Sequence, residues 1–317
     1  MKTMDATVAI LMATYNGEEY IETQLLSILS QSYTNWKLFI NDDGSTDNTI
    51  KIIKKIFVNM EDKVFISSNT SGGHGSTKNY VDLLNKIHGF DLYALCDQDD
   101  CWPNDRLDQM VNKFKKNYDL EPVLVAGNAT IVNKELKPSG ETLRGNSGNI
   151  KGDTLNKEVF LLSTADMYGC VLMFNNSLKL GMGTIPYNIL WHDQWIAMYA
   201  AYFGKVISMD KIVTFYRQHD RNVSCGKRNM LLDVFLRLKN GKGIVGRIKK
   251  IKNGEIEQMR LFLSSYSFLP SDKKYIEKLL QDLCSPDIVK RIRGGIVEKQ
   301  IFHKGCSLYN ICLFLVK

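Results

Sequence analysis

Strand-like and helix-like segments alternate through the first hundred residues of the chain, and this alternation restricts the fold more than any other feature. The run TVAILMAT (7–14) is continuously apolar and β-prone, as expected of a strand that is buried on both faces. Further strands are predicted at WKLFIN (36–41), KVFISS (63–68) and DLYALC (91–96), with helices in EEYIETQLLSILSQ (18–31), STDNTIKIIKKIF (45–57) and STKNYVDLLNKI (76–87). Such alternation implies right-handed crossovers, so it predicts an α/β fold with a doubly wound, mostly parallel sheet and helices on both faces.

The pattern changes near residue 120, where the helices become less regular. Strands are predicted within PVLVAGNATIVN (122–133), GCVLMFNN (169–176), KVISM (205–209) and IVTFYRQH (212–219), with a Gly/Asn-rich loop at 139–152 and a helix in LWHDQWIAMYAAYFG (190–204). We therefore predict one domain over residues 1–225 and a mainly helical C-terminal region over residues 226–317.

The composition argues for a globular protein of the reducing cytosol. The longest apolar runs, TVAILMAT and YNICLFLV, are much shorter than the roughly 20 residues that a membrane-spanning helix needs. The first run lacks the flanks and cleavage site of a secretory signal. The seven cysteines include no C-x-x-C pair, which disfavours a disulfide framework or a zinc site. A cytoplasmic location is therefore expected.

Positive charge is concentrated in the last part of the chain, residues 227–317, which we call the basic tail. It holds 19 Lys/Arg against 8 Asp/Glu, a net +11, whereas residues 1–226 carry a net −4. No helix-turn-helix, zinc-finger or RNP-type pattern accompanies this charge, so nucleic acid is not the expected partner. Interleaved basic and apolar residues at 237–254, with an apolar end at 301–316, favour peripheral attachment to an anionic membrane surface, at the inner face of the plasma membrane. A solvated helical face, or a homo-oligomer contact through the tail, is the alternative.

Acidic side chains follow several of the predicted strands. The first strand ends in ATYNGEEY, the second in NDDGSTD and the fourth in CDQDDCW. Ligands of open parallel sheets bind beyond the carboxyl ends of the strands. Carboxylates crowded there repel one another unless a cation offsets them, and Mg²⁺ and Mn²⁺ favour carboxylate oxygens. Asp97 and Asp99 are the candidate pair, and a solvated acidic turn that caps the next helix is the alternative.

Four motifs in this order and spacing resemble the family 2 glycosyltransferases with the GT-A fold. They are ATYNGEEYIETQLLSILSQSY, INDDGSTDNT, DQDDCW with its following RL, and HDQWI, and the resemblance extends over residues 7 to about 225. DQDDCWPNDRL and FYRQHDRNVS resemble most the bacterial rhamnosyltransferase-type branch, which builds surface polysaccharides. The resemblance implies inverting, metal-dependent transfer from a dTDP- or UDP-linked sugar to a glycan or a polyprenyl-diphosphate-linked saccharide.

The resemblance also implies roles for the acidic residues. Asp97 would face the donor ribose or a metal-bound water, and Asp99 would bind Mn²⁺ or Mg²⁺ directly. Gln98 would point away from the metal, while Asp100 would either cap the following helix or touch the donor sugar. Asp193 would be the base that removes the proton of the acceptor hydroxyl. The family more usually has Glu-Asp there, and this chain has His192 before Asp193.

The nucleotide pocket is predicted at the first two strand ends. Tyr15 would stack on a pyrimidine and the backbone of Ala13 would lie near the base, although a lone Tyr at a strand end is more often a core residue. Asp43, with Asp42 as its competitor, would accept the N3–H of uracil or thymine. The Gly-rich stretch NTSGGHGSTKNY (69–80) could approach phosphates through its backbone, with Asn79 and Lys78 facing the donor, or be a mobile loop.

The stretch YRQHDRN supplies the remaining candidates. His219 would be a third metal ligand or a diphosphate contact, and Arg217 would pair with phosphate oxygens; a surface turn is the alternative. Trp102, Trp191 and Trp195 could form a platform for the acceptor sugar or pack in the core.

Two functions of other classes stay open at this point. A catalytically silent, sugar-nucleotide-binding partner subunit would not need Asp99 and Asp193. A nucleotidyltransferase would need a Gly-rich loop with Arg or Lys directly after the first strand, where this chain has YNGEEY.

Overall fold

The computed structural model describes residues 5–114, 121–143, 167–220, 222, 242–287 and 290 of the chain. The chain divides into two compact units, one of Met1–Lys157 with Thr164–Arg221 and one of Glu158–Ser163 with Asn222–Lys317. The boundary predicted near residue 225 lies outside the described residues and stays a prediction.

The first unit contains eight strands and, over the described residues, six helices. The strands are β1 (Val8–Thr14), β2 (Trp36–Asp42), β3 (Val64–Ser68), β4 (Leu92–Asp97), β5 (Val123–Val132), β6 (Pro138–Thr142), β7 (Leu172–Asn175) and β8 (Lys205–Arg217). The helices are α1 (Ile21–Leu29), α2 (Thr49–Ile56), α3 (Ser76–Lys86), α4 (Arg106–Val111), α5 (Asn176–Met182) and α6 (His192–Phe203). A 3₁₀ turn over Gly169–Val171 leads into β7.

The strands form one mixed sheet in the order β3-β2-β1-β4-β7-β5-β6, with β8 paired to β5. Strands β1 to β4 are parallel to one another, which the alternating sequence predicts, and β7 is antiparallel to both β4 and β5. Strand β1 is buried on both faces, since Val8, Ala9, Ile10, Leu11 and Met12 are fully buried. The predicted α/β fold is confirmed, with antiparallel pairing confined to the second half of the sheet.

Two local predictions are wrong. Residues 139–142, predicted as part of a loop, belong to β6, which pairs with the end of β5. KVISM and IVTFYRQH, predicted as two strands, contribute to the single strand β8, which ends at Arg217. β8 stays continuous because it follows β5 over its whole length, through register shifts around Asn128. Gly127 lies there, where any side chain would meet Val213.

The second unit contains two described helices, α7 (Lys242–Ser265) and α8 (Pro270–Cys284), so its predicted helical character is confirmed over these residues. Ile256, Met259, Phe262 and Leu263 are buried on α7, at the spacing of one helical face. Pro270 occupies the start of α8, where its missing N–H is no loss. None of the helices that the structure describes combines the length and the apolar character needed to cross a membrane.

Candidate active site

The carboxyl ends of β1, β2 and β4 lie side by side and carry the predicted site residues. Ala13 pairs in register with Asn41 of β2 on one side and with Asp97 of β4 on the other. Thr14 is paired with Asp42 in the same way. The parallel register thus brings together motifs that are more than eighty residues apart in sequence.

Tyr15 and Gln98 join the ends of β1 and β4. The Tyr15 N–H donates to Gln98 Oε1 at 3.0 Å, and Gln98 Nε2 donates to the Tyr15 carbonyl at 3.0 Å. Gly17 has no side chain because one would collide with Gln98. The Tyr15 side chain is 53% exposed, which fits a stacking surface and not the core alternative. Gln98 was expected only to point away from the metal; its backbone bridge was not predicted.

Asp42 and Asp43 have different surroundings. The carboxylate of Asp42 accepts from Thr14 Oγ1 at 2.8 Å, from Ser45 Oγ at 2.6 Å and from the N–H groups of Gly44 and Ser45, so it closes the turn after β2. Asp43 instead faces the Gly-rich loop. Its carboxylate accepts from Asn69 Nδ2 at 2.7 Å and from the Gly75 N–H at 2.8 Å, with His74 Nδ1 at 3.2 Å.

Asn79 of α3 is buried and ties β1 to β2, since its Nδ2 donates to the Asn41 carbonyl at 2.9 Å and to the Thr14 carbonyl at 3.3 Å. Its Oδ1 has no hydrogen-bond partner among the described residues. The Lys78 amine lies against Gly73 of the same loop. Whether either side chain contacts a donor stays a prediction.

The acidic turn after β4, which we define as Asp97, Gln98, Asp99 and Asp100, is half-buried over its first three residues and buried at the fourth. Asp100 is fully buried, and its Oδ1 accepts the Arg217 N–H at 3.0 Å. Its Oδ2 has no partner within the described parts of the chain. A solvated acidic turn is therefore wrong for Asp100, and so is a capping role, because α4 begins at Arg106 with Asp105 as its N-cap.

Two carboxyl groups of the acidic turn have raised pKa values. Burial, and then the charge of Asp99, raise the pKa of Asp97 to about 7, although Tyr80 donates to its Oδ1 at 2.8 Å. Burial and the neighbouring Asp99 and Asp97 also raise the pKa of Asp100 well above its usual range. Protons therefore offset part of the repulsion near neutral pH when no cation is bound.

The buried guanidinium of Arg106 lies beside the acidic turn. Arg106 is fully buried and donates to the carbonyls of Cys170 at 2.6 Å, Val213 at 3.0 Å and Leu95 at 3.3 Å, and to Thr214 Oγ1. Its guanidinium carbon lies 3.9 Å from the centre of the Trp102 ring. Burial lowers the pKa of Arg106 to about 10, which leaves it cationic beside Asp97 and Asp100. The sequence analysis gave Arg106 no role. The available signal was its place on the helix face that Leu107, Met110 and Val111 make apolar.

The predicted metal ligands Asp99 and His219 meet in the structure. His219 Nε2 lies 2.9 Å from Asp99 Oδ2, and the two residues are 120 positions apart. The His219 ring stacks on Tyr20 with centroids 4.6 Å apart, and both His219 and Arg217 are buried, so the surface-turn alternative is wrong. An oxygen and an imidazole nitrogen suit Mn²⁺, and the crowded carboxylates around them fit a divalent cation.

Arg217 positions the backbone of the acidic turn. Its Nε donates to the Asp99 carbonyl at 2.7 Å, and its guanidinium also reaches the Lys134 carbonyl. The predicted contact of Arg217 with phosphate oxygens stays a prediction. Sequence reasoning also missed Cys170, whose sulfur, with one carboxylate oxygen each of Asp97 and Asp100, forms a group of atoms within 4.8 Å of one another. Burial raises the pKa of this thiol well above its usual range.

Asp193 lies in the first turn of α6 and faces the acidic turn. Its Oδ2 accepts the Gly169 N–H at 3.2 Å, and its charge contributes to the raised pKa of Asp97. The neighbouring His192 is buried and stacks on Tyr80. Trp102 and Trp195 are 2% and 0% exposed, so they pack in the core and do not form an acceptor platform.

The sequence of this chain matches a known family and several curated proteins. The model described as Glycosyl transferase family 2 matches residues 9–179. A dTDP-rhamnosyl transferase of Shigella flexneri, RfbG, is 35% identical over 103 residues, which are 32% of this chain and 36% of that protein. The UDP-Glc:alpha-D-GlcNAc-diphosphoundecaprenol beta-1,3-glucosyltransferase WfgD of Escherichia coli is 31% identical over 114 residues, 36% of this chain and 43% of that protein. The matches thus span less than half the length of these curated relatives.

Solved structures show the same fold. S. aureus TarS 1-349 in complex with UDP-GlcNAc has a TM-score of 0.57 at 17% identity, over 87% of this chain and 72% of that chain. The mannosyltransferase PcManGT from Pyrobaculum calidifontis, in complex with GDP-Man and Mn²⁺, has a TM-score of 0.53 at 15% identity, over 98% of this chain and 86% of that chain. These likenesses confirm the GT-A-type sheet.

Proposed function

This chain belongs to glycosyl transferase family 2, and from that premise we propose that it transfers a sugar from a nucleoside diphosphate sugar to a hydroxyl group of a saccharide, with inversion at the anomeric carbon. One observation carries the proposal: Asp99 and His219 meet at the end of β4, while Asp193 faces the same acidic turn. Asp99 and His219 could hold a cation that offsets the charge of the leaving diphosphate. Asp193 could accept the proton of the attacking hydroxyl.

The proposed donor is linked to a pyrimidine nucleotide. The exposed Tyr15 ring offers a stacking surface, and Asp43 is an acceptor for the base N3–H once the Gly-rich loop releases its carboxylate. The Asp42 carboxylate already accepts four hydrogen bonds from Thr14 and from the turn after β2, so Asp43 is the better acceptor for the base. dTDP-rhamnose and a UDP-linked sugar are the candidates, because the relatives RfbG and WfgD are named for these donors.

In the proposed reaction, the acceptor hydroxyl oxygen attacks the anomeric carbon and its proton passes to the Asp193 carboxylate. The bond from the anomeric carbon to the phosphate oxygen breaks, and the nucleoside diphosphate leaves. Bound Mn²⁺ or Mg²⁺, held by Asp99 and His219, would offset the charge of the leaving diphosphate. Two backbone N–H groups orient the Asp193 carboxylate, since Gly169 donates to Oδ2 at 3.2 Å and Gln194 donates to Oδ1 at 2.8 Å. Each oxygen keeps a further lone pair that can accept the proton of the incoming hydroxyl.

We also propose that the acceptor is a glycan or a polyprenyl-diphosphate-linked saccharide, in the synthesis of a cell-surface polysaccharide. The name of the relative WfgD specifies a diphosphoundecaprenol-linked acceptor. Such an acceptor lies at a membrane, and the net +11 of the basic tail would attract the chain to an anionic surface at the cytoplasmic face. Contact between copies of this chain through the tail is the alternative use of that region.

The test is a product assay on the purified chain. A panel of UDP-, dTDP- and GDP-sugars is incubated with Mn²⁺, with and without EDTA and a saccharide acceptor, and nucleotide products are identified by mass spectrometry. The proposal predicts metal-dependent release of UDP or dTDP. Release of a sugar 1-phosphate, with transfer of the nucleoside monophosphate, would instead indicate nucleotidyl transfer, and binding without turnover of any donor would indicate a catalytically silent subunit.

A further inference from the structure

A buried imidazole lies next to the proposed base without a function in the reaction described so far. His192 is the first residue of α6, and it is 8% exposed. Neither of its ring nitrogens has a hydrogen-bond partner among the residues that the structure describes. Buried polar atoms are nearly always hydrogen-bonded, so an exception at a candidate site points to a partner that arrives with a ligand.

The His192 ring is held in place by its surroundings. It stacks on Tyr80 with ring centroids 4.2 Å apart and planes 17° apart. The Tyr80 hydroxyl in turn donates to Asp97 Oδ1 at 2.8 Å and is 2.6 Å from the Cys96 carbonyl oxygen. The imidazole therefore has a fixed orientation beside the acidic turn. Burial lowers the pKa of His192, which leaves a neutral ring with one donor and one acceptor nitrogen.

A glycine lies against this ring. A side chain at Gly169 would place its Cβ 3.2 Å from His192 Nε2 and 3.8 Å from the Asp193 Cβ. The same Gly169 donates its N–H to Asp193 Oδ2. Because residue 169 is a glycine, no side chain from this position covers the Nε2 edge of the imidazole next to the proposed base.

We propose that His192 is a specificity-determining residue, whose imidazole forms a hydrogen bond with a hydroxyl group on the sugar of the nucleotide-sugar donor. The proposal rests on the proposed function. A hydroxyl group both donates and accepts, so it matches either nitrogen of a neutral imidazole. His192 is more deeply buried than Asp193, and it stacks on Tyr80, whose hydroxyl contacts Asp97 of the acidic turn, where the donor is proposed to bind. Tyr15 and Asp43, at the ends of β1 and β2, remain for the nucleotide.

The test compares donor and nucleotide affinities in the variant His192→Phe, which keeps the stacked ring and removes both nitrogens. Affinities for UDP-glucose and UDP, and for dTDP-L-rhamnose and dTDP, are measured by calorimetry with Mn²⁺. We expect the affinity for the bound sugar nucleotide to fall about tenfold, the value of one lost hydrogen bond, while that for the free diphosphate changes less than about twofold. Tyr93→Phe removes a hydroxyl from another buried, stacked ring and should change neither affinity.

Two further measurements separate this role from a structural one. The melting temperature of ligand-free His192→Phe should equal or exceed that of the wild type, because the removed nitrogens have no partner within the described residues. Deoxy analogues of the bound sugar should show one position whose loss weakens binding to the wild type and not to His192→Phe. Equal losses for sugar nucleotide and diphosphate, unchanged affinity for both, or the same analogue profile in both proteins would overturn the assignment.

The outcomes also separate this inference from the proposed function. Suppose that the wild type binds and turns over a sugar nucleotide, and that His192→Phe distinguishes the sugar nucleotide from the free diphosphate as well as the wild type does. That result would refute only the role of His192. Wild-type protein that binds none of the four nucleotides would refute both.

Discussion

Burial of carboxyl groups in the acidic turn lowers the stability of the folded chain. Asp100 is fully buried with one carboxylate oxygen unpartnered among the described residues, and the charges of Asp99 and Asp97 raise its pKa. Arg106 supplies a buried positive charge beneath them, and His219 contacts Asp99. Such an arrangement is explained by a ligand that brings positive charge, since the turn is only partly neutralised without one.

Asp99→Asn should abolish turnover and remove the effect of Mn²⁺ on donor binding. The substitution takes away the carboxylate that lies 2.9 Å from His219 while keeping the size of the side chain. Calorimetric titration of the nucleotide sugar, with and without Mn²⁺, measures the effect. Asp105→Asn, a change of the same charge at an exposed residue, serves as the control. Metal-dependent activity at the wild-type level in Asp99→Asn would refute the assignment.

Asp100→Asn should stabilise the metal-free chain at alkaline pH and much less near pH 4. Because the folded-state pKa of Asp100 is raised, its contribution to the unfolding free energy is present at low pH and is lost as pH rises through that value. An amide does not ionise, so the variant avoids this loss at pH 8. Thermal denaturation between pH 4 and pH 8 measures it. A variant less stable than wild type at pH 8 would contradict the buried-charge account.

At this scale the sequence predicts the residues that terminate strands. Asp97, Asp99, Asp43 and Tyr15 follow β-prone runs directly, and parallel pairing brings them together. Arg106 could not be assigned from its position, because a charged residue at a helix start is usually solvated. Its burial depends on carbonyl groups supplied by β4, the 3₁₀ turn and β8.

At the scale of elements, the site depends on how β8 returns to the acidic turn. Cys101 forms a bridge with Phe215 of β8, and Arg217 at the end of that strand donates to the Asp99 carbonyl. These contacts place His219 next to Asp99. The alternation of apolar residues predicts that β8 is a strand but not which strand it pairs with. The second half of the sheet was therefore the harder part to predict.

The helix α7 carries the prediction about membranes. Arg247, Lys249, Lys250 and Lys252 lie within it, and each basic residue that reaches an anionic surface contributes about 1 kcal/mol. Neutralising all four should release the protein from anionic vesicles in a sedimentation assay. High salt should release the wild type, because the Debye length falls to about 3 Å at 1 M.

The matched control neutralises four exposed lysines of the first unit, Lys51, Lys54, Lys55 and Lys113, and should stay bound to the vesicles. Turnover of a small soluble acceptor should survive the four tail substitutions, because the proposed donor site lies within the first unit. Wild-type protein that remains in the supernatant at low salt with anionic lipid would show that the tail does not bind membranes.

Over the whole molecule, the parallel half of the sheet carries the proposed nucleotide end of the site, and the mixed half carries the proposed base and His219. Asp193 lies in the first turn of α6, and the 3₁₀ turn before β7 supplies the Gly169 N–H that donates to it. The two halves meet where β4 pairs with β7. This division explains why the sequence yields detailed predictions for the nucleotide end but misses Cys170, Arg106 and the bridge of Gln98 to Tyr15, whose contacts cross between distant segments.

The most direct test of the account is to separate donor binding from sugar transfer in the variant Asp193→Asn. Donor affinity is measured by calorimetry with Mn²⁺, and transfer by single-turnover release of the nucleoside diphosphate in the presence of a saccharide acceptor. We predict affinity within about twofold of wild type and a rate lower by about 10²–10⁴, because the change removes the base and none of the leaving-group contacts. Transfer at the wild-type rate would contradict the account, since the base would then lie elsewhere.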